Sequence, residues 1–164
     1  MTTFEEFAHA RTPHLHRSAW LLCGDRHQAE DLVQETLAKV FVRWGRRGPR
    51  IENPAAYAQT TLVRTFLSGK RRRSSTELPF ADLPDTTGSD PTSGSDLRMS
   101  LLAALAQLSD LDRAVLVLRY LHDLPVDEVA NQLGLTSGAV RTRSSRATER
   151  VRPLLSLTTV KEPS

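Results

Sequence analysis

Arginine recurs through one short stretch of this chain: Arg141, Arg143, Arg146, Arg150 and Arg152, with Thr142, Ser144 and Ser145 among them. Guanidinium groups suit phosphates and bidentate contacts to guanine, and short hydroxyls add further donors. The chemistry on offer is recognition of nucleic acid, not the making or breaking of bonds. A second basic run, Lys70-Arg71-Arg72-Arg73, closes a helical pattern that begins near Pro54. Cations at a helix C-terminus are favoured by the macrodipole alone. They are equally suited to contacts with nucleic-acid phosphates. Arg64 lies seven residues before Arg71, so the two can face one DNA strand. Tyr57 and Phe66 carry rings that stack on bases in some proteins; at their spacing they are expected in the core instead.

Nothing points to catalysis. His9, His14, His16, His27 and His122 are scattered, and Cys23, the only cysteine, makes no metal-ligand spacing with them. His14 and His16 are two apart and do not share a helix face. Gly45 and Gly48 are not followed by the Lys-Ser/Thr of a phosphate loop. No enzyme activity, metal, cofactor or small-molecule substrate is expected.

A different chemistry marks Glu30-Asp31-Leu32-Val33-Gln34-Glu35. Acids in a helix's first turn are ordinary dipole complements. Yet Asp31, Gln34, Glu35 and Ala38 also fall at i, i+3, i+4 and i+7, one polar and mainly acidic stripe. In a basic domain such a stripe suits a basic protein partner rather than DNA. Spacing alone leaves both readings standing.

The elements that must carry these residues are helical. Val33, Leu37, Val40, Phe41 and Trp44 form one apolar face at i, i+4, i+7, i+8 and i+11. Pro54 can open another helix, with Ala58, Leu62 and Phe66 on one face. Leu97, Leu101, Leu105 and Leu108 make a third stripe with Asp96 as the expected N-cap. Ser109-Asp110-Leu111-Asp112 starts a fourth, carrying Leu111, Val115, Leu118 and Leu121. Pro13 is expected to break or kink the first helical stretch. No alternating strand of useful length is visible.

The sharpest local pattern runs from Pro125 to Arg141. A short helix ends at Leu133, Gly134 permits a positive φ, and Thr136 or Ser137 caps the next helix. Ala130 is small where two helices cross, and Leu133, Leu135 and Val140 fill the space between them. That is the recipe of a helix-turn-helix, whose second helix enters the major groove. Here that second helix is the arginine-rich one.

Between the two helical parts, Ser74 to Asp96 is rich in Ser, Thr, Asp, Pro and Gly without helical period. It carries Glu77, Asp82, Asp85, Asp90 and Asp96 and no Lys or Arg. The flanking parts are therefore more basic than the whole chain's +3. The expected fold is all-α: two small helical bundles joined by a flexible acidic linker, the C-terminal one containing a helix-turn-helix. The expected divisions are 1–73, a linker at 74–96, 97–155, and a frayed tail at 156–164. The residues Met1 to Glu6 lack a basic start followed by an apolar run, so no signal peptide is expected. No stretch approaches the ~18 apolar residues of a membrane span. With a single thiol and no disulfide framework, a cytoplasmic location without membrane contact is expected.

Taken together, three segments resemble those of extracytoplasmic-function sigma factors of bacterial RNA polymerase, in particular the actinobacterial sigma-E-like group. Ala29 to Leu37 resembles the part that grips the polymerase clamp. Asn53 to Tyr57, Leu62-Val63-Arg64 and Lys70 to Arg73 resemble the part that opens the minus-ten element. Leu108 to Arg150 resembles the domain that reads the minus-thirty-five element, with Asp112 to Tyr120 and Ser137 to Arg143 as its signature stretches. The resemblance implies that Asp31, Gln34 and Glu35 contact the clamp coiled coil of the largest subunit of core RNA polymerase. It implies minus-ten contacts from Arg64, Lys70, Arg71, Arg72 and Arg73. It implies minus-thirty-five contacts from Ser137, Arg141, Thr142, Arg143, Ser145 and Arg146. The acidic linker resembles the segment that threads the polymerase channels. An anti-sigma factor is a further partner that the resemblance admits. Arg64 and Ser68 stand where many members carry Asn and Asp, so a minus-ten preference different from theirs is expected; Ala139 replaces a common Thr.

The function so implied is binding core RNA polymerase, directing it to promoters and promoting initiation. A stand-alone helix-turn-helix regulator would account for the C-terminal half alone, and predicts tight DNA binding by the free chain. A DNA-independent adaptor would account for the Asp31 stripe but not for the arginines of the second helix.

Overall fold

Seven α-helices and one π-helical turn make up the described part of the chain, with no strand among the described residues. The computed structural model describes the backbone of residues 3–45, 51–76 and 93–159, and the side chains of residues 3–45, 51–69 and 99–154. The chain divides into two units, Met1–Leu78 and Pro79–Ser164. Most of the expected linker, residues 77–92, lies outside the described residues, as does the tail from residue 160 onward.

The first unit is a three-helix bundle of α1 (Phe4–Cys23), α2 (Arg26–Gly45) and α3 (Pro54–Thr76), each packed on the other two. Local signals start and stop them. The Thr3 hydroxyl accepts a hydrogen bond from the Glu6 amide at 3.2 Å, capping α1. Gly24, at φ 69°, ends α1 by donating to the Trp20 carbonyl at 2.8 Å. The Asp25 carboxylate then accepts from the Gln28 amide at 3.0 Å, and Asn53 does the same for Ala56 at 3.1 Å. Pro54 occupies the first position of α3, where its missing N–H costs nothing.

Pro13 does not break α1, which runs unbroken from Phe4 to Cys23. The residue is exposed, and so is His9, whose carbonyl loses its helical donor at this point. Water can satisfy that carbonyl, which makes a proline on the outer face tolerable.

Leu15, Ala19 and Leu22 of α1, Ala29 and Val40 of α2, and Ala58 and Leu62 of α3 are wholly buried. The inward face of α2 also includes Leu32, Val33 and Thr36. Phe41, expected on that face, is instead 60% exposed. Its ring meets Phe4 edge-on at 5.1 Å, while Trp44 packs on Phe4 and Phe7 at 5.7 and 5.2 Å. The helix has turned by one position relative to the expected stripe, so its last apolar residues pack on the start of α1 at the end of the bundle.

The second unit comprises α4 (Ser93–Ala106), α5 (Asp110–Leu116), a π turn (Val117–Leu121), α6 (Val126–Leu133) and α7 (Ser137–Thr159). The α4 backbone begins at Ser93, so Asp96 lies within the first turn and not at the cap. Ser109 caps α5, its hydroxyl accepting from the Asp112 amide at 3.2 Å. The π turn widens the end of α5, where the His122 amide reaches back to the Val117 carbonyl at 3.2 Å. Arg119 donates to the Leu124 carbonyl at 3.0 Å and Asp123 takes a positive φ of 53°, together folding the chain toward α6.

Helix α7 packs on α4, α5 and α6, and so organises the unit. Val115, Leu118, Val129 and Val140 are wholly buried between these helices. Arg113 is buried too, with its guanidinium donating to the Leu108 carbonyl at 3.1 Å and lying 3.6 Å from the Asp110 carboxylate. Among the described residues, no helix is long and apolar enough to cross a membrane.

Gly134 has φ 68°, and a Cβ there would meet no atom within 4 Å. Gly134→Ala therefore carries backbone strain without a clash, and is expected to lower stability by about 1–2 kcal/mol in urea unfolding. Gly138 also has open space but sits in the first turn of α7. Gly138→Ala is expected to be neutral or to stabilise by roughly 0.5 kcal/mol in the same measurement.

Candidate nucleic-acid interface

The helix-turn-helix is formed by α6, the Gly134 turn and α7. The Leu135 amide donates to the Ala130 carbonyl at 2.9 Å, closing the turn around the left-handed Gly134. The Thr136 hydroxyl caps α7 by accepting from the Ala139 amide at 3.0 Å. Of the two expected caps, Thr136 takes that place. The neighbouring Ser137 donates its hydroxyl to the Asp127 carboxylate at 2.6 Å, tying the start of α7 to α6.

One stripe of α7 is buried: Val140, Ser144, Ala147 and Val151, at i, i+4, i+7 and i+11. The opposite face follows from that burial. Arg141, Thr142, Ser145 and Arg146 are all exposed, and they share one side of the helix. Two guanidinium groups and two hydroxyls are thus offered outward on a rigid, capped element. Ser137 and Arg143, also expected on the DNA face, flank the buried stripe and direct their polar atoms into the unit. Arg143 donates to the Asp112 carboxylate at 2.7 Å. Arg150 is exposed further along the helix.

In the first unit, Asp31, Gln34, Glu35 and Ala38 are all exposed, so the expected polar stripe of α2 is an outward-facing surface. Asp31 and Glu35 also line a shallow depression with Cys23, Gln28, Leu32, Thr65, Phe66 and Gly69. Residues of α3 therefore stand beside the acidic stripe, a neighbourhood that no spacing within α2 reveals. Lys39 donates to the Thr65 hydroxyl at 3.0 Å across the same pair of helices. Phe66 is 4% exposed and belongs to the core, as its spacing suggests.

On α3, Arg64 is exposed. The helical backbone continues through Lys70 to Arg73, keeping Arg64 and Arg71 in register on one face; the side chains of those four basic residues lie outside the described residues. Among the described residues, no cluster of His, Cys, Asp and Glu could hold a metal ion.

Residues 7–76 match the family model for Sigma-70 region 2, and residues 98–151 match that for Sigma-70, region 4. The chain belongs to the sigma-70 family. It is 33% identical over 150 residues to an RNA polymerase sigma-E factor of Streptomyces avermitilis, a match covering 91% of this chain and 83% of that one. Among solved structures it is similar to the sigma factor RpoE of Bartonella quintana, crystallised with the anti-sigma factor NepR, at a TM-score of 0.67. That likeness has 27% identity and covers 93% of this chain and 96% of the other. The extracytoplasmic function sigma factor SigJ of Mycobacterium tuberculosis is similar at a TM-score of 0.62 and 30% identity, over 91% of this chain and 53% of that one. This sigma factor is of the extracytoplasmic-function kind, and its regions 2 and 4 direct RNA polymerase to promoter DNA. Each matched region falls within one of the two units.

Because Thr136 supplies the cap of α7, Thr136→Ala is expected to destabilise the protein by about 1 kcal/mol. Differential scanning calorimetry would show this as a lower melting temperature. Ser137→Ala, which leaves the cap intact, is expected to change it less.

Proposed function

We propose that this sigma factor reads the minus-thirty-five element through Arg141, Thr142, Ser145 and Arg146, and holds core polymerase through Asp31, Gln34 and Glu35. The observation that carries this reading is the exposed arginine and hydroxyl face of α7, opposite a buried stripe and held by a cap and a glycine turn. A helix so anchored can lie in the major groove with its N-terminal turns on the bases. The acidic stripe of α2 suits a basic surface on the clamp coiled coil of the largest polymerase subunit. Like charges would keep that stripe away from DNA, so the first unit divides its labour between faces.

In the same reading, Arg64 and Lys70 to Arg73 at the end of α3 hold the minus-ten strand as the duplex opens. The acidic segment 74–96 threads the polymerase channels. The chain performs no catalysis: polymerase supplies the chemistry, while this subunit supplies address and strand opening. It works in the cytoplasm, where polymerase and promoter are. An anti-sigma protein, the class of partner crystallised with the Bartonella quintana relative, is a further ligand in this reading.

Size-exclusion chromatography with and without bacterial core polymerase tests the first contact. Co-elution is expected for the wild-type chain, with weak DNA binding by the chain alone. Asp31→Lys with Glu35→Lys is expected to abolish co-elution while leaving the helical circular dichroism spectrum unchanged, because both side chains are exposed. Normal co-elution of that double variant would remove the α2 face from the interface. Tight, sequence-specific binding by the free wild-type chain would favour action as a stand-alone regulator.

With holoenzyme on promoter fragments, Arg141→Ala is expected to cost about 1–3 kcal/mol at one base pair of the minus-thirty-five element. A uniform loss across all sequences would make Arg141 a phosphate contact.

A further inference from the structure

Asp112 has no part in the DNA and polymerase contacts proposed above, yet it makes a short, half-sheltered ion pair. It sits in the first turn of α5, held by the Ser109 hydroxyl on its amide at 3.2 Å. Its Oδ1 accepts a hydrogen bond from the Arg143 guanidinium, 31 residues further along, at 2.7 Å. That is the length of a charge-assisted hydrogen bond. The pair is half-sheltered, with the Asp112 side chain 21% exposed and that of Arg143 39% exposed. By contrast, the surface pair Arg26–Glu30 is 3.7 Å apart and 79% and 49% exposed.

Placement gives this pair its meaning. Arg143 lies one turn on from Val140 and one residue before Ser144, beside the buried stripe of α7 and next to the face that carries Arg141, Thr142, Ser145 and Arg146. A flexible guanidinium in that position, left to itself, would reach for whichever phosphate passed near. Each such contact adds affinity that is blind to sequence and steepens the dependence on salt. Held by Asp112, the same side chain instead fastens the recognition helix to α5.

We propose that Asp112 is a specificity-determining positioning residue: it keeps Arg143 off the DNA and fixes the rotation of α7, so that the exposed face alone reads the minus-thirty-five bases. This rests on the reading that α7 enters the major groove. Releasing Arg143 then has two effects at once. The protein gains a phosphate contact on every sequence, and α7 loses its anchor, so discrimination falls although overall attraction to DNA rises.

The test uses the full chain assembled with core polymerase. Binding is measured across a range of salt concentrations on a promoter fragment and on the same fragment with a scrambled minus-thirty-five element. Asp112→Asn keeps the side-chain volume and removes the charge. It is expected to bind the scrambled fragment several-fold more tightly than wild type, to steepen the plot of log K against log salt by about 0.9, the contribution of one added phosphate contact, and to lower the ratio between the two fragments. Arg143→Met, which keeps an apolar stem, is expected to lower the ratio while leaving the salt slope at the wild-type value. The exchanged pair, Asp112→Arg with Arg143→Asp, is expected to bring ratio and slope back toward wild type, a rescue that simple loss of packing would not allow.

A salt slope shallower by about 0.9 in Arg143→Met would show that Arg143 already touches a phosphate, and would overturn the proposal. So would unchanged slope and ratio in Asp112→Asn. Arg141→Ala separates the two levels of the argument. If Arg141→Ala weakens promoter binding while Asp112→Asn behaves as wild type, the role of Asp112 fails alone. If Arg141→Ala has no effect on either fragment, the major-groove reading fails and the proposal fails with it.

Discussion

The second unit depends on one strip of contact: Val140, Ser144, Ala147 and Val151 of α7 set against the helices around it. Burial of that strip sets which side of α7 faces outward. Burial of Val140 and Val151 contributes about 1.5–3 kcal/mol each relative to exposure, at least as much as a typical hydrogen bond. That packing sets the general orientation of the helix, with Arg141, Thr142, Ser145 and Arg146 aimed outward, and leaves its exact rotation to contacts such as the Asp112–Arg143 pair. The turn makes this arrangement possible. Gly134 reverses the chain at a φ that a side chain would resist, and Thr136 restarts the helix within two residues. The π turn before α6 performs a related task, since the Arg119 hydrogen bond to Leu124 fixes where α6 departs from α5.

The first unit solves a different problem with the same means. In the proposed reading it presents acid to a protein and base to DNA without the two neutralising each other. The bundle does this by assigning them to different helices. Asp31 and Glu35 stand on the exposed side of α2, and the basic run closes α3. Wholly buried residues from all three helices, Leu15, Leu22, Val40 and Leu62 among them, hold those surfaces in fixed positions. Where α2 and α3 meet, Lys39 bonds to Thr65, and the depression beside Asp31 and Glu35 is lined from α3 as well as α2. The proposed polymerase surface is thus composite, with acid from one helix and its floor from another.

Much of this was legible in advance because the signals are local. Gly134, the Thr136 cap and the small Ala130 lie within seven residues of one another, and each acts on the backbone beside it. The exposed stripe on α2 likewise follows from helical period, because a polar face opposite an apolar one has nowhere to go but outward. Local reasoning failed where a choice was marginal. Of the break or kink expected at Pro13, the break does not occur, because on an exposed face water can serve the orphaned carbonyl. Phe41 falls on the apolar spacing of α2, yet the chain buries Leu32 and Thr36 and leaves Phe41 against Phe4 at the bundle's end.

The sequence by itself determined the helical class, the helix-turn-helix with its glycine turn, the acidic face of α2 and the arginine content of α7. These depend on residue type and on spacings of a turn or two. Only the tertiary structure decided which arginines of α7 are left in solvent and which is paired within the unit. Arg141 and Arg143 are two residues apart and chemically identical, but one points to solvent and the other to Asp112, which is 31 positions away along the chain. A hydrogen bond across that separation exists only because the packing of α5 on α7 brings its two partners together, and no pattern within either helix specifies that packing.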